Sequence, residues 1–245
     1  MDNTFLRIEM LLGTAAWEKL RHSRVLIFGL GGVGGAAAEA LARTGVGALR
    51  LVDNDVFAPS NLNRQLAATR DTVGRPKTEA WAERIRAINP DCVVEPYQMF
   101  FLPDSPDVMA DCDVVIDAID TVTGKLEIIT RAQARGIPVL SSMGTGNKLD
   151  LTQLRLADIY QTAGCPLAKV MRKELRARGV RHLTVVYSPE KPLPCRLTPE
   201  ELAARGEKLR PRGTPASAIF VPAAAGLLLA SEAVRLLTGE EETHG

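Results

Sequence analysis

Residues 24–35 read Arg-Val-Leu-Ile-Phe-Gly-Leu-Gly-Gly-Val-Gly-Gly. Val25 to Phe28 have the β-branched, aliphatic and aromatic composition of a fully buried strand, and Gly29, Gly31, Gly32 and Gly34 lead straight into an Ala-rich helix. Glycine alone permits so tight a strand-to-helix turn and so close an approach of backbone to a phosphate. The N–H groups and dipole at the helix N-terminus then face the anion. Such a turn suits NAD as well as ATP, so the surrounding residues must separate the two.

The chain has 245 residues, of which 46% are hydrophobic, enough for one large α/β domain or two small ones. We read one domain over 1–245: an N-terminal helical extension over 1–23, a nucleotide-binding core over 24–146, and a substrate and dimer region over 147–245. Thirty basic residues face 29 acidic ones, for a net charge of +1, so contact with nucleic acid has to come from a local patch. Cys92, Cys112, Cys165 and Cys195 form no Cys-x-x-Cys pair, which argues against structural zinc and against a secreted disulfide framework. The first 20 residues lack the shape of a signal peptide, and a cytoplasmic location is expected. The apolar run over 216–230 contains Pro222 and Gly226 and falls short of a membrane span, so it is expected to be a buried helix rather than a stable membrane insertion.

An entry helix is expected over 4–20, broken near Gly13, with Leu6, Met10, Leu11 and Leu12 on its apolar side and Arg7 among its charges. Periodicity then predicts strands over 24–28, 48–52, 92–97, 113–118 and 137–140, with helices over 32–44, 77–88, 122–135 and 166–178. This alternation predicts an α/β fold: a Rossmann-like, mostly parallel sheet with helices on both faces. Beyond Leu154 the alternation fades into a mixed α/β C-terminal part, in which 183–188 is apolar.

Asp53 closes the second strand about 20 positions beyond the glycine turn, where a ribose hydroxyl is held. Asp55, then Ser60-Asn61-x-x-Arg64-Gln65, then Lys77 at the start of a helix, gather donors suited to phosphates. Singly, Arg64 reads as a surface cation and Lys77 as a solvated residue in a first helical turn. Jointly they suit attack on a nucleotide phosphorus, where charge moves in the transition state, better than hydride transfer. Asp120 follows the fourth strand, where it suits a magnesium ion beside a triphosphate, an N-cap, or both. Lys169, Arg172, Lys173 and Arg176 recur at helical spacing opposite Leu167, Met171 and Leu175, as a solvated face or an RNA-backbone footprint. Arg178 and Arg181 extend that stripe, and Arg205, Lys208, Arg210 and Arg212 add cations in a later loop. Cys165, at a helix start, suits either a nucleophilic thiolate or a small capping-region residue. His22, His182 and His244 fall in no motif.

With these residues assembled, the chain resembles the ubiquitin-activating enzyme-like (ThiF/MoeB-type) superfamily of adenylating proteins. The resemblance runs to about Gly146 through the Gly-x-Gly-Gly-x-Gly turn, Asp53-x-Asp55, Ser60-Asn61-x-x-Arg64-Gln65, Lys77 and Asp120. It implies ATP and Mg2+ as cofactors, with Asp53 on the ribose, Asn61, Arg64 and Lys77 on the phosphates, and Asp120 on the magnesium. Asp55 and Gln65 join the nucleotide site. It also implies a homodimer in which Arg7 reaches across to the phosphates of the other protomer. Within the superfamily, the chain is similar to the tRNA threonylcarbamoyladenosine dehydratase branch in Ala40-Leu41-Ala42-Arg43-Thr44-Gly45-Val46-Gly47, Ser141-Ser142-Met143-Gly144-Thr145-Gly146-Asn147-Lys148, Cys165-Pro166-Leu167-Ala168-Lys169 and Val185-Val186-Tyr187-Ser188. That branch implies tRNA as substrate, ATP-dependent activation of the threonyl carboxylate and cyclisation with loss of water, with a cysteine-desulfurase and sulfur-acceptor system as a further partner. Whether AMP with pyrophosphate or ADP with phosphate leaves is open at this point. Two alternatives also stand: an adenylyltransferase for the Gly-Gly terminus of a small sulfur carrier, against which the missing Cys-x-x-Cys pairs count, and a dehydrogenase-like dinucleotide binder.

Overall fold

The computed structural model describes residues 4–206 and 215–240. Two short helices, α1 (Leu6–Leu12) and α2 (Thr14–Arg21), meet at Gly13 and lead into β1 (Arg24–Phe28). There follow α3 (Gly32–Arg43), β2 (Ala48–Val52), α4 (Lys77–Ile88), β3 (Val93–Tyr97), β4 (Val114–Asp117), α5 (Val122–Ala134) and β5 (Val139–Ser142). The C-terminal part adds β6 (Arg155–Asp158), α6 (Pro166–Ala177), β7 (Thr184–Tyr187), α7 (Pro199–Ala204) and α8 (Phe220–Thr238). One seven-stranded sheet runs β3-β2-β1-β4-β5-β7-β6, parallel throughout except that β6 pairs antiparallel with β7.

Alternation along β1 divides the core in two. Val25 and Ile27 face a layer built from α3, α4 and α8, whereas Leu26 and Phe28 face one built from α5 and α6. Both faces are therefore covered, as the continuous apolar run requires. The α3–α8 contact is close at Gly226, where an added Cβ would lie 2.2 Å from the Val33 carbonyl oxygen. Helix α8 is long and apolar enough to cross a membrane by composition. Yet it buries Val221, Ala225, Leu229 and Ala233 in the core, as expected of a buried helix, while Phe220 and Leu227 stay exposed, and it starts at 220 rather than 216.

The fifth strand lies two residues later than expected. Pro138 has no N–H for the ladder, and pairing of Ser141 and Ser142 with Val185 and Val186 of β7 carries the strand on through Ser142. Strand β6 was not foreseen, its four residues showing no clear alternation.

Candidate active site

Strand order reverses between β1 and β4, so their C-terminal ends flank a crevice. A cavity of about 700 Å3 occupies it, lined on one side by Gly29, Gly31 and Gly32. Gly29 adopts φ +84°, and a Cβ on Gly34 would fall 1.8 Å from the Gly29 carbonyl oxygen. Gly34 thus makes the turn possible from behind and does not itself line the cavity. Gly32 and Val33, the first residues of α3, line the same space, so the N-terminus of that helix abuts the cavity.

Asp53, nearly buried, accepts from the Leu30 N–H at 2.6 Å through one oxygen and from the Asp55 N–H at 2.8 Å through the other. One carboxylate therefore ties the glycine turn to the loop after β2. Lys77 sits 2.8 Å from Asp55 and 4.0 Å from Asp53. It is only 5% exposed, which rules out the reading of a solvated first-turn residue. Asn61 accepts from the Ala58 N–H at 3.0 Å and fixes the short turn over Pro59–Asn61. Arg64 donates to the Ser60 carbonyl at 2.6 Å and to the Asn63 side chain at 2.9 Å, which holds its guanidinium at the cavity rim. Gln65 is buried beside them, and its Oε1 has no donor. Asp120 lies exposed on the opposite wall, free of any hydrogen bond or ion pair to the described residues. The N-cap of α5 is Thr121, so Asp120 does not have the capping role that the sequence allowed.

The cavity continues past Asp120 into a second lobe formed by residues 142–148 and 165–167. Lys148 is buried there and donates to the carbonyls of Ser188 at 2.8 Å and Glu190 at 2.7 Å. The Glu190 carboxylate in turn accepts from the N–H groups of Leu149 and Asp150, so the loops after β5 and β7 are clasped together. Burial pushes the Lys148 ammonium below the usual lysine range, while Cys165 and Glu190 pull it back. Cys165 is buried at the N-cap of α6, without a side-chain cap bond, and it lines this lobe.

Beneath both lobes runs a network that sequence reasoning missed. Lys125 of α5 reaches Asp117 at 2.9 Å, the Ser142 carbonyl at 2.8 Å and the Ser141 hydroxyl at 3.2 Å, and Ser141 donates to Asp117 at 2.6 Å. The network fixes the ends of β4 and β5, from which Asp120 and the second lobe project. Its signal in the sequence was faint: a lysine among the apolar positions of a helix and an aspartate ending an apolar strand. Arg7 lies exposed on α1, outside the cavity, and neither His22 nor His182 lines it. Lys208, Arg210, Arg212 and His244 fall outside the described residues.

The sequence profile of the ThiF family matches residues 5–245. The chain belongs to the ThiF family. This ThiF-family chain is 41% identical over 239 residues to the tRNA threonylcarbamoyladenosine dehydratase of Bacillus subtilis (strain 168), covering 96% of this chain and 94% of that protein. Its fold matches the crystal structure of the Escherichia coli tRNA N6-threonylcarbamoyladenosine dehydratase, TcdA, in complex with AMP, with a TM-score of 0.86 and 33% identity, over 97% of this chain and 95% of that one. The ATP complex of the same E. coli protein matches with a TM-score of 0.84 and 32% identity, over 99% and 97% of the two chains.

Proposed function

We propose that this chain is an ATP-dependent tRNA threonylcarbamoyladenosine dehydratase. The observation that carries the reading is one cavity lined both by a phosphate-binding turn with its cations and by residues 142–148 and 165–167, which leave room for an acceptor beside the nucleotide. The near full-length similarity to dehydratases supports it.

Asp53 would hold the ribose and the turn at Gly29 to Gly32 the phosphates, with Asn61, Arg64, Gln65 and Lys77 completing their cradle. Asp55, already on Lys77, orients that ammonium towards the cavity. A magnesium ion fits Asp120. Its carboxylate is exposed in the cavity wall and unpartnered among the described residues, which leaves it available to share such an ion with the phosphates. Bound there, the ion would add positive charge against the triphosphate. The substrate's threonyl carboxylate attacks the α-phosphorus and pyrophosphate leaves. The carbamoyl group then attacks its own activated carboxyl carbon, the bond from that carbon to the AMP oxygen breaks, and AMP departs with the carboxylate oxygen while the carbamoyl N–H proton passes to solvent. The cyclisation is intramolecular and needs no enzyme thiol, so Cys165 is read as part of the wall. We further propose a homodimer, supported by the exposed Met10 and Leu11 on α1 and Leu227 on α8, with Arg7 contributing to the site of the other protomer.

The test is to incubate the protein with magnesium-ATP and tRNA bearing threonylcarbamoyladenosine, digest the RNA and weigh the nucleoside. Loss of one water, reduced about 10²–10³-fold in Lys77→Ala and Asp120→Ala, is expected. ADP in place of AMP among the products would move the attack to the γ-phosphorus. An unchanged nucleoside would overturn the reading.

A further inference from the structure

Helix α6 buries Ala168, Met171 and Leu175, which turns Lys169, Arg172, Lys173 and Arg176 outward together. These four cations, with Ala177, line a shallow open hollow of about 540 Å3. Many surface arginines elsewhere are held by a carboxylate, as Arg21 is by Glu18, Arg43 and Arg84 by Glu39, and Arg131 by Glu127. None of the four has such a partner among the described residues, and Glu174, the acid on the same helix, is engaged by Arg178 at 2.8 Å. Two of the heads are nonetheless positioned. Arg172 donates to the carbonyl oxygen of Thr162 at 2.9 Å and to its hydroxyl, and the Arg176 guanidinium lies 5.0 Å over the Tyr160 ring. A chain of net charge +1 thus keeps a concentrated positive field at one place.

That place adjoins the cavity. Cys165, Pro166 and Leu167, where α6 begins, line its second lobe. At the helical rise, Lys169 lies about 6 Å along the axis beyond Cys165 and Arg176 about 16 Å beyond it.

We infer that the α6 stripe is the docking rail for the RNA substrate: backbone phosphates settle in the hollow, and the neighbouring modified nucleoside enters the cavity at residues 165–167. The nature of the substrate rests on the function proposed above; the surface rests on the charges and their placement. The apolar surface of the hollow comes from the stems of the four cations and from Ala177, and its lining holds no aromatic or large aliphatic side chain of the kind that anchors protein interfaces. Phosphates require no such anchor.

The experiment measures binding of the modified tRNA by fluorescence anisotropy over a series of salt concentrations. It compares the wild type, Lys169→Gln/Lys173→Gln, and Arg43→Gln as a control whose charge is already paired. The double variant is expected to bind tRNA on the order of tenfold more weakly near 0.1 M salt and to lose about 1.4 from the slope of log K against log salt. Its KM for tRNA should rise while its magnesium-ATP affinity by calorimetry is kept. Wild-type affinity and slope in the double variant, or a loss no greater than that of Arg43→Gln, would overturn the docking surface. Binding is read without turnover, so the two proposals fail separately: stripe-dependent binding without any dehydrated nucleoside would sustain the surface and remove the proposed function.

Discussion

Lys125 and Asp117 lie 2.9 Å apart with neither side chain reaching solvent. Removing one member strands the other charge where water cannot hydrate it, whereas removing both charges is far less damaging. Lys125→Met is expected to lower the unfolding free energy by about 3–5 kcal/mol in urea denaturation, and adding Asp117→Asn should recover most of the loss. Equal stabilities of the single and double variants would contradict this account. The cysteines give a second expectation. Burial pushes the thiols of Cys92 and Cys112 up to about 11, while Cys195 is exposed. A short iodoacetamide pulse near pH ~8, read by peptide mass spectrometry, should label Cys195 and spare Cys92 and Cys112 until denaturant is added. At this scale the sequence was legible in placement: Lys77, Arg64 and Asp120, singled out together with the glycine turn, all line the one cavity beside it. Lys125 was not singled out. A helical lysine reads as surface until the strand end beneath it is seen.

Between elements, two contacts carry testable weight. A methyl group at Gly226 would collide with the Val33 carbonyl and the Ala36 side chain, so Gly226→Ala has to push α8 away from α3. We expect a loss of about 1–3 kcal/mol by chemical denaturation, together with weaker ATP binding, because α3 starts at the glycine turn. Glu39 joins α3 to α4 by accepting from Arg84 at 2.6 and 3.0 Å and from Arg43 of its own helix. Burial opposes ionisation of Glu39, but the two guanidiniums outweigh it and hold the carboxyl below the usual range. The stabilisation is therefore present above the unfolded glutamate value of about 4.3 and is lost as pH falls through the folded value. Glu39→Gln should be less stable than the wild type at neutral pH and converge with it in acid, which urea unfolding at a series of pH values would show. Strands β1 and β2 and helix α4 were readable to the residue, because hydrophobic runs end there at glycine, aspartate or proline. Strand β6 was not, since a four-residue edge strand takes its conformation from β7 rather than from its own pattern.

On the scale of the whole molecule, the proposed homodimer makes a prediction about mixtures. If Arg7 acts across the interface, Arg7→Ala and Lys77→Ala are defective alone but complementary together. A heterodimer then contains one site with both side chains. Random reassortment of equal amounts should restore about a quarter of wild-type activity, and no recovery would place Arg7 outside the site of the other protomer. Legibility also faded with distance along the chain. The glycine turn and its cations come from one half, whereas the second lobe is closed by Lys148 and Glu190 across loops that only the sheet order brings together. That closure bears on fidelity. Because the glycine turn and Cys165 line one cavity, an activated carboxyl group would be made in the same room where it is consumed, and escape to bulk water would be a side channel. Nucleotide cleaved and nucleoside dehydrated should then tally close to one for one. Loosening the clasp with Glu190→Ala should let the first count run ahead of the second.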